Sequence, residues 1–130
     1  MKRSRRWRHS IAITAASLAA TAALAAKPNL TSYFPVHFKD AAWQKAALGK
    51  VLEGWSPPAK LPAAGKKTVV QSTIARDGKL IAAIVTMKSG IKEWDDAALA
   101  AVRKAAPFAA LPKSFPDPHV EVHWHFATGP

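Results

Sequence analysis

The chain has 130 residues, no cysteine, and 19 basic against 8 acidic residues, a formal net charge of +11 at pH 7. This length sets an expectation of one domain. The lack of cysteine excludes a disulfide framework, a thiolate nucleophile, a thiolate metal site and a lipid-anchored cysteine. The charge is unevenly placed: Lys2, Arg3, Arg5, Arg6 and Arg8 crowd the start, leaving fourteen basic and eight acidic residues from Lys27 onward, a net of +6. No clustered basic stripe with aromatic platforms remains there, so nucleic acid is not an expected partner.

The run KRSRRWRH is followed by IAITAASLAATAALAA, and Ala23-Leu24-Ala25 offers small residues where an exported protein is cut. Residues 1–25 therefore read as a secretory signal peptide, with cleavage after Ala25. The apolar run is shorter than the roughly 20 residues of a spanning helix and is broken by Thr14, Ser17 and Thr21. If the segment is retained, it tethers the domain to the inner membrane. Either way the rest of the chain is expected in the periplasm. Residues 26–39 form a short lead, and Pro28 and Pro35 argue against regular structure in it.

The domain proper is expected over residues 40–127. Asp40 can cap a helix from Ala41 to about Gly54, with Trp43, Ala47, Leu48, Val51, Leu52 and Trp55 on one face. Trp43 and Trp55 at this spacing read as core. Pro57 and Pro58 stop a restart. Thr68 to Ala75 reads as a strand, and Leu80 to Met87 as its return. Asp77-Gly78 between two apolar runs signals a hairpin turn, Gly78 accepting positive φ. Both faces of the return strand are apolar, so one meets the helices and the other is part-covered or left at an interface.

Asp95 or Glu93 opens a second helix running to about Ala105. Trp94, Ala98, Leu99 and Val102 form its stripe, and Leu99 is expected in the core. Acids at its start and Arg103-Lys104 at its end suit the helix dipole. Pro107 stops it. Phe108, Leu111 and Phe115, in a segment pinned by prolines, close the end of the core. His119 to Phe126 is a third strand of strict alternation. Val120, Val122, Trp124 and Phe126 point to the core, and His119, Glu121, His123 and His125 point away.

The order αββαβ implies a two-layer α+β fold, a three-stranded antiparallel sheet of order 2-1-3 with two helices on one face. The second and third strands are then edges, and the third is the expected acceptor of a partner strand, with His119, Glu121, His123 and His125 selecting that partner. Enzyme motifs are missing, and the Asp95-Asp96 pair is explained by its helix-start position, so no catalysis and no cofactor are expected. A flat row of histidines does not close a tetrahedral shell by itself; a metal-binding role is the less favoured alternative.

The residues from Trp43 onward resemble the C-terminal domain shared by TonB and TolA. The resemblance rests on Trp55-Ser56-Pro57-Pro58, on Val70, Thr73 and Ile74 before Arg76-Asp77-Gly78, and on Ile84-Val85 and Lys88-Ser89-Gly90. Asp95 to Leu99, Ala101 to Phe108, Leu111-Pro112 and the alternating last strand complete it. The W-S-P-P and A-A-P-F-x-x-L-P elements lean toward TolA. The resemblance implies a protein-docking module of the cell envelope with an αββαβ fold. TonB-type domains engage outer-membrane receptors by adding a strand to a sheet edge, and TolA-type domains contact partners of the Tol–Pal system. Weak self-association through sheet edges is also open. Family transducers carry a retained membrane helix coupled to a proton-driven motor, then a long spacer. Here the 14 residues from Lys27 to Asp40 reach only about 50 Å fully extended. The expectation is a detached docking domain, with an anchored energy transducer serving transmembrane transport as the alternative.

Overall fold

The computed structural model describes residues 27–129. The expected signal peptide lies outside the described residues. The elements are β1 (Lys27–Tyr33), α1 (Ala41–Gly54), β2 (Thr68–Ala75), β3 (Leu80–Met87), α2 (Lys92–Ala105) and β4 (His119–Gly129). They form one four-stranded sheet of order β1-β4-β2-β3, antiparallel throughout.

This corrects the expected three-stranded sheet. Lys27–Tyr33 is a strand, not an irregular lead, and it pairs with β4 from Tyr33↔His123 to Lys27↔Gly129. Pro28 is compatible with this because an edge strand tolerates a residue without an N–H. The pairing also carries β4 beyond Phe126 to Gly129, although Ala127 and Gly129 have weak intrinsic strand preference. β4 is consequently an interior strand, with β1 on one side and β2 on the other, so it is not the free edge that the sequence suggested.

Both helices contribute to a core built on one face of the sheet. Asp40 caps α1 as expected, its carboxylate accepting from the Trp43 N–H at 2.9 Å. Trp43, Ala47 and Val51 are buried, and Leu52 is exposed. On α2 the buried positions are Trp94, Ala98, Ala101, Val102 and Ala105. Leu99 is only partly buried, at the margin of the core. The reason is rotational: the inward face is centred on the alanines, and Leu99 sits about 100° round from Ala98. Val120, Val122, Trp124 and Phe126 are fully buried along β4, as the alternation requires.

Three of the buried indoles, those of Trp43, Trp94 and Trp124, are held by polar contacts, whereas the buried Trp55 Nε1 has no hydrogen-bond partner. Trp124 Nε1 donates to Ser72 Oγ at 2.8 Å, and that hydroxyl donates to the Val122 carbonyl at 3.2 Å. Trp94 Nε1 donates to the Phe126 carbonyl at 3.0 Å. Trp43 Nε1 reaches the carbonyls of Ala109 and Ala110 at 3.2 and 3.0 Å. These bonds let large amphipathic rings be buried without stranding a donor.

Candidate docking surface

Two features hold the β2–β3 hairpin at its turn. Gly78 has φ +94°, and a Cβ there would lie 2.0 Å from the Phe108 carbonyl oxygen. The turn therefore needs glycine both for its backbone conformation and for the close approach of the segment after α2. That segment begins with the cis peptide Ala106–Pro107. It docks through Phe108 N–H to the Gly78 carbonyl and Leu111 N–H to the Arg76 carbonyl, each 2.9 Å. Arg76 then reaches across with its guanidinium to the carbonyls of Phe115 and Asp117, the latter at 3.1 Å from Nε and 2.9 Å from Nη2. Sequence reasoning assigned Arg76 to a turn; its carbonyl partners lie about forty residues further along the chain, so no local signal pointed to them.

The far end of β3 is held by Asp95. This residue is not the cap of α2. The cap position is Ile91, which makes no side-chain cap bond. Asp95 Oδ1 instead accepts from the Ser89 N–H and the Ser89 hydroxyl, each at 2.9 Å, and from the Thr68 hydroxyl. One carboxylate oxygen thus joins the start of β2, the end of β3 and the first turn of α2. Pro107, by contrast, follows the end of α2 as expected, and Trp124 lies stacked on Phe108 with ring centroids 6.2 Å apart.

The sheet has two edges, and they differ. β1 carries Pro28 and begins at Lys27. β3 reads LIAAIVTM, eight residues with no charge, no proline and no glycine. Its Leu80, Ala83 and Val85 pack against the core, while Ile81, Ile84 and Met87 are 61%, 57% and 51% exposed. The apolar character of both faces of this strand was the signal available in the sequence. Beside β3 on the helix side lies an open groove of about 420 Å³ lined by Val85, Lys88, Gly90, Lys92, Asp95 and Asp96.

The row His119, Glu121, His123 and His125 occupies the sheet face opposite the helices. His119 and Glu121 are exposed, and His123 and His125 half-buried. The Glu121 carboxylate accepts from the Gln71 amide and lies 3.8 Å from His123 Nε2. The His125 ring lies 4.5 Å from that of Tyr33. Burial, then the nearby Lys67 and His123 charges, holds His125 below the ordinary histidine value. Among the described residues no three histidine, aspartate or glutamate side chains are grouped as a metal ion would need. From His123 to Phe126 the backbone is paired on both sides, whereas His119 to Val122 pair with β2 alone, so the His123 and His125 part of the row offers side chains and not a free strand edge.

Residues 40–124 match the family described as TonB C terminal. The chain belongs to this family. The matched span is more than half of the chain and leaves out β1 and the end of β4 that pairs with it. Neither a curated protein nor a solved structure matches the chain. TonB C-terminal domains are non-catalytic docking domains of the periplasm that bind outer-membrane or envelope partners and serve energy transduction. Among the described residues no helix is long and apolar enough to cross a membrane.

Proposed function

We propose that the chain is a periplasmic docking domain whose β3 edge accepts an extended segment of an outer-membrane receptor or Tol–Pal-type envelope protein. One observation carries this reading. β3 is an uncharged, proline-free edge strand with exposed Ile81, Ile84 and Met87, whereas the opposite edge is interrupted by Pro28. An unpaired strand edge supplies backbone bonds for affinity, and alternate side chains supply specificity. His119, Glu121, His123 and His125, with Tyr33, form the neighbouring polar part of the open face and read the portion of the partner that folds over the sheet.

Residues 1–25 export the domain in this reading. Mass spectrometry of the mature protein tests that step: a start at Ala26 excludes motor coupling in cis, and an intact N-terminus supports the anchored transducer instead. The docking edge is tested by placing a photo-crosslinking amino acid at Ile84 on β3 or at Thr31 on β1 in the exporting cell. Adducts with an identified outer-membrane or envelope protein should form from Ile84 and not from Thr31. Adducts from Thr31 alone would move the site to the other edge.

A further inference from the structure

The sheet face opposite the helices has no covering layer among the described residues, and the strand pairings fix what lies across it. One row runs Thr31, His125, Val69 and Met87 from β1 to β3, and the next runs Tyr33, His123, Gln71 and Ile84. A third row, Glu121, Thr73 and Ala82, begins at β4 because β1 ends at Tyr33. Tyr33, Ile84 and Met87 are exposed, and Val69 is buried between its neighbours. Charge is divided along the strands. Lys67 stands two residues before Val69 on the same face, near His125, and Glu121 stands in the third row.

We propose that this face packs against the same face of a second copy of the chain, with the two-fold axis lying between the two sheets along the row Tyr33, His123, Gln71 and Ile84. Such an axis keeps the strand order and reverses the strand direction, so each strand lies over its own counterpart. The first row of one copy then lies over the third row of the other. Met87 meets Ala82, a large side chain against a small one, as two sheets about 10 Å apart require. Val69 meets Thr73, and Ile84 meets Ile84 on the axis. His125 and Lys67 of each copy meet Glu121 of the other, so opposite charges face each other twice. The other aligned arrangement, with the axis parallel to the strands, brings Lys67 beside Lys67 and Glu121 beside Glu121. Charge therefore selects the first axis over the second.

The size of the face sets the strength of the pairing. Four strands spaced about 4.8 Å apart, each about eight residues long at about 3.3 Å per residue, present about 500 Å² on each copy. The total of about 1,000 Å² is at the lower end for a specific interface, so the dimer forms weakly and depends on concentration. It leaves the outer backbone of β3 free. On the docking reading above, a partner whose chain folds over the sheet takes the place of the second copy, so the face is covered in either state.

The test is sedimentation equilibrium of the protein purified from the exporting cell, from micromolar to millimolar concentration. The molar mass should rise toward twice the monomer value. Thr73→Arg is the discriminating variant. Thr73 faces Val69 of the other copy but lies on β2, which is interior to the sheet, so a dimer joined edge to edge does not sense it. The variant should weaken the dimer about tenfold, a change of about 1.4 kcal/mol, with tryptophan fluorescence and the thermal melt reporting an intact fold. Charge exchange supplies the second arm. Lys67→Glu and Glu121→Lys each set like charges across the interface and should each weaken it several-fold. The double variant K67E/E121K restores opposite charges in exchanged places and should recover most of that loss. A monomer at every concentration would overturn the proposal, as would a dimer that Thr73→Arg leaves intact. Failure of K67E/E121K to recover the loss would overturn the assigned axis. None of these results bears on the β3 crosslinks, which test docking separately.

Discussion

Replacing Gly78 with alanine should destabilise the domain far more than a turn substitution normally does. Two terms add. The residue sits at φ +94°, where an L side chain costs about 1–2 kcal/mol. The added Cβ would also stand 2.0 Å from the Phe108 carbonyl oxygen and 2.8 Å from its carbon, so the docked segment must withdraw. That withdrawal breaks the Phe108 N–H bond to the Gly78 carbonyl, worth about 1 kcal/mol net, and loosens the buried Phe108 ring. A total of about 3–5 kcal/mol follows, a large share of a small domain's stability. Gly65 is the internal control. Its φ is +81°, but nothing lies within 4 Å of the Cβ position, so Gly65→Ala carries the strain alone, about 1–2 kcal/mol. Urea unfolding followed by tryptophan fluorescence measures both. Losses for the two variants within 0.5 kcal/mol of each other, roughly the error of such a comparison, would show that the close approach of the Phe108 segment contributes nothing.

Ser72→Ala removes the acceptor of Trp124 Nε1 and strands a buried donor, so stability should fall by about 1–3 kcal/mol; Ser72→Thr, which keeps the hydroxyl, should lose less by the same denaturant assay. Val102→Ala at a fully buried site should cost about 1–3 kcal/mol by cavity formation, and Leu99→Ala, at the core margin, should cost less than the roughly 2–5 kcal/mol of a fully buried leucine. His125 has a folded pKa below its ordinary value, so the unfolded chain takes up the proton first as pH falls. Its contribution to stability is therefore present above about pH 6.5, the ordinary histidine value, and is lost as pH falls through the lowered folded value. His125→Gln should flatten that acid limb in melts from pH 7.5 to 5, and an unchanged limb would contradict the shift.

Much of the layout was legible because it is written in local periodicity. The alternation of His119 to Phe126, the Asp77-Gly78 turn, the Asp40 cap and the stop at Pro107 each depend on residues close in sequence. Sheet order is different in kind. β1 was hidden because Pro28 and Pro35 speak against a strand when read locally, whereas the pairing of Leu30 with Phe126 links residues at opposite ends of the domain and leaves no local period. Missing that strand turned interior β4 into an expected edge and misdirected the search for the docking surface. The role of Asp95 was similarly obscured. Its position near a helix start suggested a cap, but its partners are Thr68 at the start of β2 and Ser89 in the loop after β3. Leu99 was expected in the core, but the inward face runs through Trp94, Ala98, Ala101, Val102 and Ala105 and leaves Leu99 partly buried at its margin.

The two ends of β3 are fixed by contacts that do not touch its outer edge, and this has a consequence for docking. At the turn, the segment after α2 bonds to Gly78 and Arg76. At the other end, Asp95 holds the Ser89 N–H and hydroxyl. A strand fixed at both ends presents its backbone groups already in line, so an arriving segment loses only its own conformational freedom. Asp95→Ala should release the Ser89 end without altering any residue of β3 itself. The expected outcome is weaker binding of an edge-adding peptide, by about three- to tenfold, together with faster amide exchange at Met87, Lys88 and Ser89 while the Leu80 end stays protected. Thr68→Val, which removes one of the carboxylate's three donors but keeps the other two, should produce a smaller change of the same kind. If Asp95→Ala leaves both affinity and exchange at Met87 to Ser89 unaltered, β3 is held straight by its pairing with β2 alone, and the carboxylate serves only the packing of α2.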